Sequence, residues 1–369
     1  MGTFVSRWTR RTFLLSGPAA CALHAQTAAK GTVFERDWRR YADPTTEFEV
    51  YRLTNPEYAS QMPAYYTRSI AHHSGFLVFS CDRTGSQQAF RMDLKSGQTR
   101  QLTAAAELDP ESVALMPDDR GFCYFDGAAL RQTSFSGLRD REVHKVPEGW
   151  KRTAGSSVSS DGLRAAWAES NGSKCRLRLV SLARGAATTV TEADWEITHP
   201  ILHPRRAQVL YRQGDEALWL VNTDGRQNRK LKLADGHIGP ARWSPDGKTV
   251  LYLHLPDDPK QLHAIREHTP DQNLDKLIGK TSQFAHFGSN ANGSVFAGAS
   301  QNKASPTILL LLRVTHRELT MCEHKASDPR TVAPVFSPDS QRIYFQSDRD
   351  GKRAIYMVRV DKFVEQTEQ

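Results

Sequence analysis

Thirteen histidines are spread through this 369-residue chain, and none is paired at a spacing that would hold a metal ion. His199 and His203 are four apart but lie in a strand-and-turn context, where such positions need not converge as they do on a helix. His72 and His73 precede a turn glycine and read as solvent-facing. Downstream of residue 25 the cysteines are Cys81, Cys123, Cys175 and Cys322, without a Cys-x-x-Cys spacing among them. That indicates neither a zinc knuckle nor a redox pair, and buried strand cysteines are the expectation, with a disulfide of unassigned pairing open to an exported protein. No Gly-x-Ser-x-Gly elbow, Gly-rich phosphate loop or Cys/His dyad is present. A site in this chain has to be assembled from residues that are distant in sequence.

The elements that would assemble it are repeats. Trp243-Ser244-Pro245-Asp246-Gly247-Lys248-Thr249-Val250-Leu251-Tyr252 and Phe336-Ser337-Pro338-Asp339-Ser340-Gln341-Arg342-Ile343-Tyr344-Phe345 share one plan. An apolar strand enters a tight turn and leaves as a strand with alternating apolar residues. Units of this kind recur at 67–103, 111–147, 156–192, 197–233, 238–280, 284–325 and 332–360, with phrases such as Leu94-Lys95-Ser96-Gly97 marking hairpins. A repeat of roughly 40–50 residues with about four short strands predicts a propeller blade. The last repeat lacks a fourth strand, and Glu47 to Thr54 resembles the missing one. The expectation is therefore an all-β, seven-bladed β-propeller over 45–362, closed by an N-terminal strand that removes two exposed sheet edges. A polar lead-in occupies 26–44 and a polar tail 363–369. A propeller gathers its functional residues from several blades at one end of a central channel.

Residues 1–25 read as a twin-arginine export signal. Thr9-Arg10-Arg11-Thr12-Phe13-Leu14-Leu15 precedes an apolar stretch that is too short to span a bilayer, with cleavage near Ala25. The expected location is periplasmic or extracellular, with no transmembrane segment. Cys21 leaves a lipoprotein as the minor alternative. The net charge of +8 falls by three when Arg7, Arg10 and Arg11 leave with the signal. A mildly basic exported protein attracts polyanions, including acidic polysaccharides. Its Lys and Arg are dispersed and no reading helix accompanies them, which argues against nucleic acid.

A longer stretch carries a family resemblance. Cys175-Arg176-Leu177 is followed by His199-Pro200-Ile201-Leu202-His203-Pro204 and by Trp219-Leu220-Val221-Asn222-Thr223-Asp224-Gly225. With Glu49 to Thr54, Phe336 to Asp339 and Ser347 to Gly351, this series resembles the oligogalacturonate lyase family. That resemblance implies cleavage of short pectin fragments by β-elimination. A base removes the C5 proton of a galacturonate while positive charge holds the adjacent carboxylate. The resemblance implies His199 as the base and Arg176 as the carboxylate clamp. Tyr65 and Tyr66 match an aromatic loop able to stack on a sugar, and His286 lies in a segment expected to line the channel.

The family resemblance also implies manganese, held by three His and one Gln. Here those positions fall on Pro240, Thr331, Ala333 and Asp328. No imidazole remains at them, so no metal site is expected. Arg242 and Arg330 lie within or beside the vacated positions, where guanidinium groups could stand in for the ion. The expected ligand is an acidic oligosaccharide. The competing reading is a non-catalytic TolB-like propeller that binds a protein or a cell-wall glycan.

Overall fold

The structure is a computed structural model that describes residues 1–2 and 29–367. Its strands form seven antiparallel sheets, and among the described residues there is no α-helix, only two short 3-10 turns. This is the expected seven-bladed propeller. The first strand of blades three to six runs Lys151–Val158, Ile197–Leu202, His237–Trp243 and Phe284–Ser289, and each of those sheets has four strands in sequence order. These first strands line the central channel.

The local reason for the repeat is visible in its turns. In blade five Ser244 Oγ donates to Asp246 Oδ1 at 2.7 Å and accepts from the amide of Thr249, while Asp246 Oδ1 accepts from the amide of Lys248. Gly247 takes the left-handed conformation that closes the turn (φ 73°). In blade seven Ser337 and Asp339 repeat this wiring, and Ser340 accepts the same conformation at φ 60°. The strands leaving the turns bury one face per neighbouring blade. Val209, Tyr211 and Val221 of blade four pack on Ala166, Ala168 and Leu177 of blade three. Cys81, Cys123, Cys175 and Cys322 are buried and free.

The ring closes as expected, through Glu49–Arg52 pairing with Ala354–Arg359 in the last blade. The lead-in differs from its reading as a merely polar segment. Val33–Phe34 adds a fifth strand to blade one, against Thr99–Gln101, and Arg39–Ala42 adds one to blade seven, outside Glu49–Arg52. The same few residues thus bind the outer edges of the first and last blades. The tail is also engaged, since Val364 is buried in the blade-seven core and Phe363 meets Phe48 edge-on.

Two irregularities shape the channel. The first strands of blades three to six each break register near one end, at Arg152/Ser156, Thr198/Ile201, Ile238/Ala241 and Phe284/His286. Bulges of this kind re-aim side chains and are common beside active sites. In blade one the first strand is interrupted. Ser60–Gln61 pairs with Ser80 and Cys81, pairing resumes only at Ile70 with Leu77, and the residues between leave the sheet for the channel.

Candidate functional site

That excursion carries Tyr65 and Tyr66 across the channel. The Tyr65 hydroxyl sits in the bulge of blade five, accepting from the amide of Ala241 and donating to its carbonyl, both at 2.9 Å. Its ring meets His286 of blade six edge-on at 4.6 Å. Tyr66 reaches the other way, its ring 6.2 Å from that of His199 and its hydroxyl against Gly155 of blade three. Gln346 of blade seven pins the start of the segment, accepting from the amide of Met62 and donating to the carbonyl of Thr331. The two tyrosines divide the channel. Above them is a cup of about 590 Å³ lined by His199, His286, Arg212, Arg330, Arg353 and Glu111 among others. Below them lie two smaller cavities.

His199 occupies the bulge of blade four at φ 47°, a left-handed conformation that non-glycine residues adopt at functional turns. Gly155 makes this possible, because any β-carbon there would fall 2.7 Å from the His199 Cα. The ring Nδ1 is buried without a partner. Burial, followed by the charge of Arg212, lowers the imidazole pKa to about 4, so the ring is neutral at pH 7. His286 is buried more deeply and falls to about 3, through burial and then Arg242.

Arg212 belongs to the second strand of blade four, where it pairs with Thr198, the residue before His199. Its guanidinium donates to the carbonyls of Ile238 and Gly239 at 2.6 Å and of Gly214 at 3.1 Å. Every one of these acceptors is neutral backbone, and among the described residues no acid forms an ion pair with it. Arg353 of blade seven donates to Gln61 Oε1 at 3.0 Å, and its charge is also felt by the carboxylates of Glu111, Asp328 and Asp348. Burial and nearby Asp109 raise the Glu111 carboxyl, against the pull of Arg353.

The structure brings His199, Tyr65, Tyr66, His286 and Arg330 to one cup. It places Arg176 and Arg242 elsewhere. Arg176 lies on the third strand of blade three, two strands out from the channel, and is not among the residues lining the cup. Its Nε donates to Glu169 at 2.7 Å and its guanidinium stacks 3.7 Å above Trp150. Glu169 is fully buried and also accepts from Trp167 Nε1, so Arg176 neutralises a carboxylate the core has already committed. Arg242 follows Ala241 on the next step of the strand, and its side chain lines the lower cavities instead of the cup. Arg330 is largely exposed and clasps Asp328, with Nε 3.0 Å from Oδ1 and Nη2 3.0 Å from Oδ2.

Pro240, Thr331 and Ala333 all line the cup, so the positions aligned with metal ligands do converge in space. Their chemistry does not suit a divalent cation. Pro240 and Ala333 have no donor atom, the Thr331 hydroxyl donates to the Asp328 carbonyl, and the Asp328 carboxylate is held by Arg330. Gln346, an amide that also lines the cup, is spent on Met62 and Thr331. Among the described residues no cluster of three or more His, Cys, Asp or Glu could hold an ion.

Arg212, Arg353 and Glu111 were not singled out from sequence. Arg212 had one available signal, its place at the end of a second strand facing the start of the first, where His199 sits. Arg353 follows the Ser-Asp-x-Asp-Gly phrase, which reads as turn chemistry alone.

Comparison with known proteins gives a consistent result. The family model described as oligogalacturonate lyase matches residues 28–306. The oligogalacturonide lyase of Pectobacterium atrosepticum is 25% identical, over 90% of this chain and 98% of its own length. The oligogalacturonate lyase of Dickeya dadantii is 24% identical over the same shares. Among solved structures, an oligogalacturonate lyase in complex with manganese superposes with a TM-score of 0.85 at 24% identity, covering 90% of this chain and 98% of that one.

Proposed function

The chain belongs to the oligogalacturonate lyase family, and from that premise we propose that it cleaves short pectin-derived oligogalacturonides by β-elimination in the cup above the tyrosines. The observation that carries the reading is a neutral imidazole, His199, beside a guanidinium, Arg212, that among the described residues is held by backbone carbonyls and by no acid. The sugar carboxylate docks on Arg212 and Arg353. Tyr65 and Tyr66 form the floor, with the Tyr65 hydroxyl already committed to Ala241 and so unavailable to the sugar.

His199 takes the C5 proton. The electron pair of the C5–H bond becomes the C4–C5 double bond and the C4–O4 bond breaks. The departing oxygen takes a proton from water at the open mouth, and His199 returns its own proton to solvent. As the C5 proton leaves, negative charge accumulates on the carboxylate, where fixed guanidinium groups stabilise it more than they stabilise the ground state. Arg212 and Arg353 supply this neutralisation, and no step passes through a metal ion because the donor set does not suit one. Arg330 serves at the rim, where its charge is shared with Asp328.

The test is incubation with di- and trigalacturonate while ultraviolet absorbance follows the unsaturated product, with added manganese or with EDTA. Equal product formation in both supports the proposal. Product only with manganese would return a metal to the reaction. A rise in melting temperature without product would make the protein a sugar-binding propeller.

The Arg10-Arg11 leader supports work outside the cytoplasm. It lies outside the described residues, and among those described no helix is long and apolar enough to cross a membrane. Cell fractionation checks this, with mature protein expected in the periplasm or medium.

A further inference from the structure

Beneath the tyrosines lie cavities of about 460 and 270 Å³ that share Tyr66, Thr67, Arg68, Arg242, Trp243 and Pro245 in their walls. Neither wall contains a single Asp or Glu. Arg68 is balanced from outside, by an ion pair with Asp119. Among the described residues Arg242 has no such partner. Its Nε is buried without an acceptor, and the side chain is sequestered enough for burial to lower its pKa. The only titratable group that opposes that shift is Tyr65, a neutral phenol bonded to Ala241. On the other side is His286, which is itself neutral and offers no negative charge.

A desolvated guanidinium without a counter-charge is costly, and folded proteins supply one from a carboxylate or from a bound anion. Ser289 provides a second sign of a ligand. It is 8% exposed, lines the smaller cavity with Arg242, and its hydroxyl has no hydrogen-bond partner among the described residues. A fork of guanidinium donors and a free hydroxyl in the wall of one cavity match the oxygens of a carboxylate or a phosphate.

We propose that the lower channel is a second anion site, in which Arg242 and Ser289 bind a small oxyanion on the opposite side of the tyrosine partition from the cup. Two sources share this chemistry, an inorganic oxyanion from the medium and a free uronate monosaccharide.

The site is tested by calorimetric titration of the intact protein with inorganic phosphate and, separately, with monogalacturonate. Matched titrations use Arg212→Ala, which disables the cup, and Arg242→Met. Saturable binding that persists in Arg212→Ala and weakens at least about tenfold in Arg242→Met supports the site. The tighter of the two ligands identifies the source. No saturable binding, or binding lost in Arg212→Ala and kept in Arg242→Met, overturns it. If Arg242→Met does not fold, Ser289→Ala decides, because unchanged affinity there also overturns the proposal. Failure of the lyase assay leaves this result untouched, because no turnover is read.

Discussion

A base with a pKa of about 4 is a weak one, and the reason lies in its surroundings. His199 is buried, and Arg212 beside it repels a second positive charge. An anionic sugar reverses the second effect by bringing a carboxylate to Arg212. The acid limb of kcat/KM, which reports the free enzyme, is expected near pH 4, and that of kcat at a higher pH. Coincident limbs would separate Arg212 from the substrate carboxylate. The same shift bears on stability. The unfolded imidazole titrates near its ordinary value of about 6.5, so between that pH and about 4 the unfolded chain binds the extra proton. Stability held above pH 6.5 is therefore lost as pH falls toward 4, with His286 extending the loss toward 3. Melting curves across that range check it, and a flat profile would contradict it. Arg176 belongs to a different account. Arg176→Ala is expected to destabilise by about 1.5–3 kcal/mol, the usual worth of a charged hydrogen bond, with kcat/KM changed less than about tenfold. Lost turnover at unchanged melting temperature would restore Arg176 to the chemistry.

The elements that hold these residues are bulged first strands, and Gly155 shows how closely they interlock. At φ 87° a β-carbon would stand 2.4 Å from the Tyr66 hydroxyl as well as against His199. Gly155→Ala is expected to cost about 2 kcal/mol or more from the strained backbone and the clash, and to lower kcat by displacing His199. An active variant of wild-type stability would mean that the partition yields freely. This level of structure was least legible in the sequence. The Ser-Pro-Asp-Gly turns announce themselves because their hydrogen bonds close within six residues. The interruption of blade one does not, since Tyr65 finds its partner 176 residues away at Ala241. Arg242 was misplaced for the same reason. Its neighbour Ala241 ends a register break that sends adjacent side chains to different levels of the channel.

At the scale of the whole molecule, seven sheets were readable because each carries its own turn and its own alternation. The closing strand was readable because the last repeat is short by one. The two lead-in strands were not, since Val33–Phe34 has only two residues and Arg39–Ala42 is almost wholly exposed, leaving no alternation to see. Their consequence is a ring fastened at both edges. Deleting residues through Thr54 removes Glu49–Arg52 from Ala354–Arg359 and both outer strands, and cooperative melting is expected to be lost. A deletion ending before Glu47 removes only the outer strands and is expected to lower the melting temperature while keeping the fold. Equal behaviour of the two truncations would contradict closure through Glu49–Arg52.

The most direct measurement separates binding from turnover on digalacturonate. His199→Ala is expected to keep its Kd within a few-fold while kcat falls by at least about 10², and Arg212→Ala to lose affinity and turnover together. Turnover that survives in His199→Ala, with the fold verified by melting, would contradict the assignment of the base and with it the proposed chemistry of the cup.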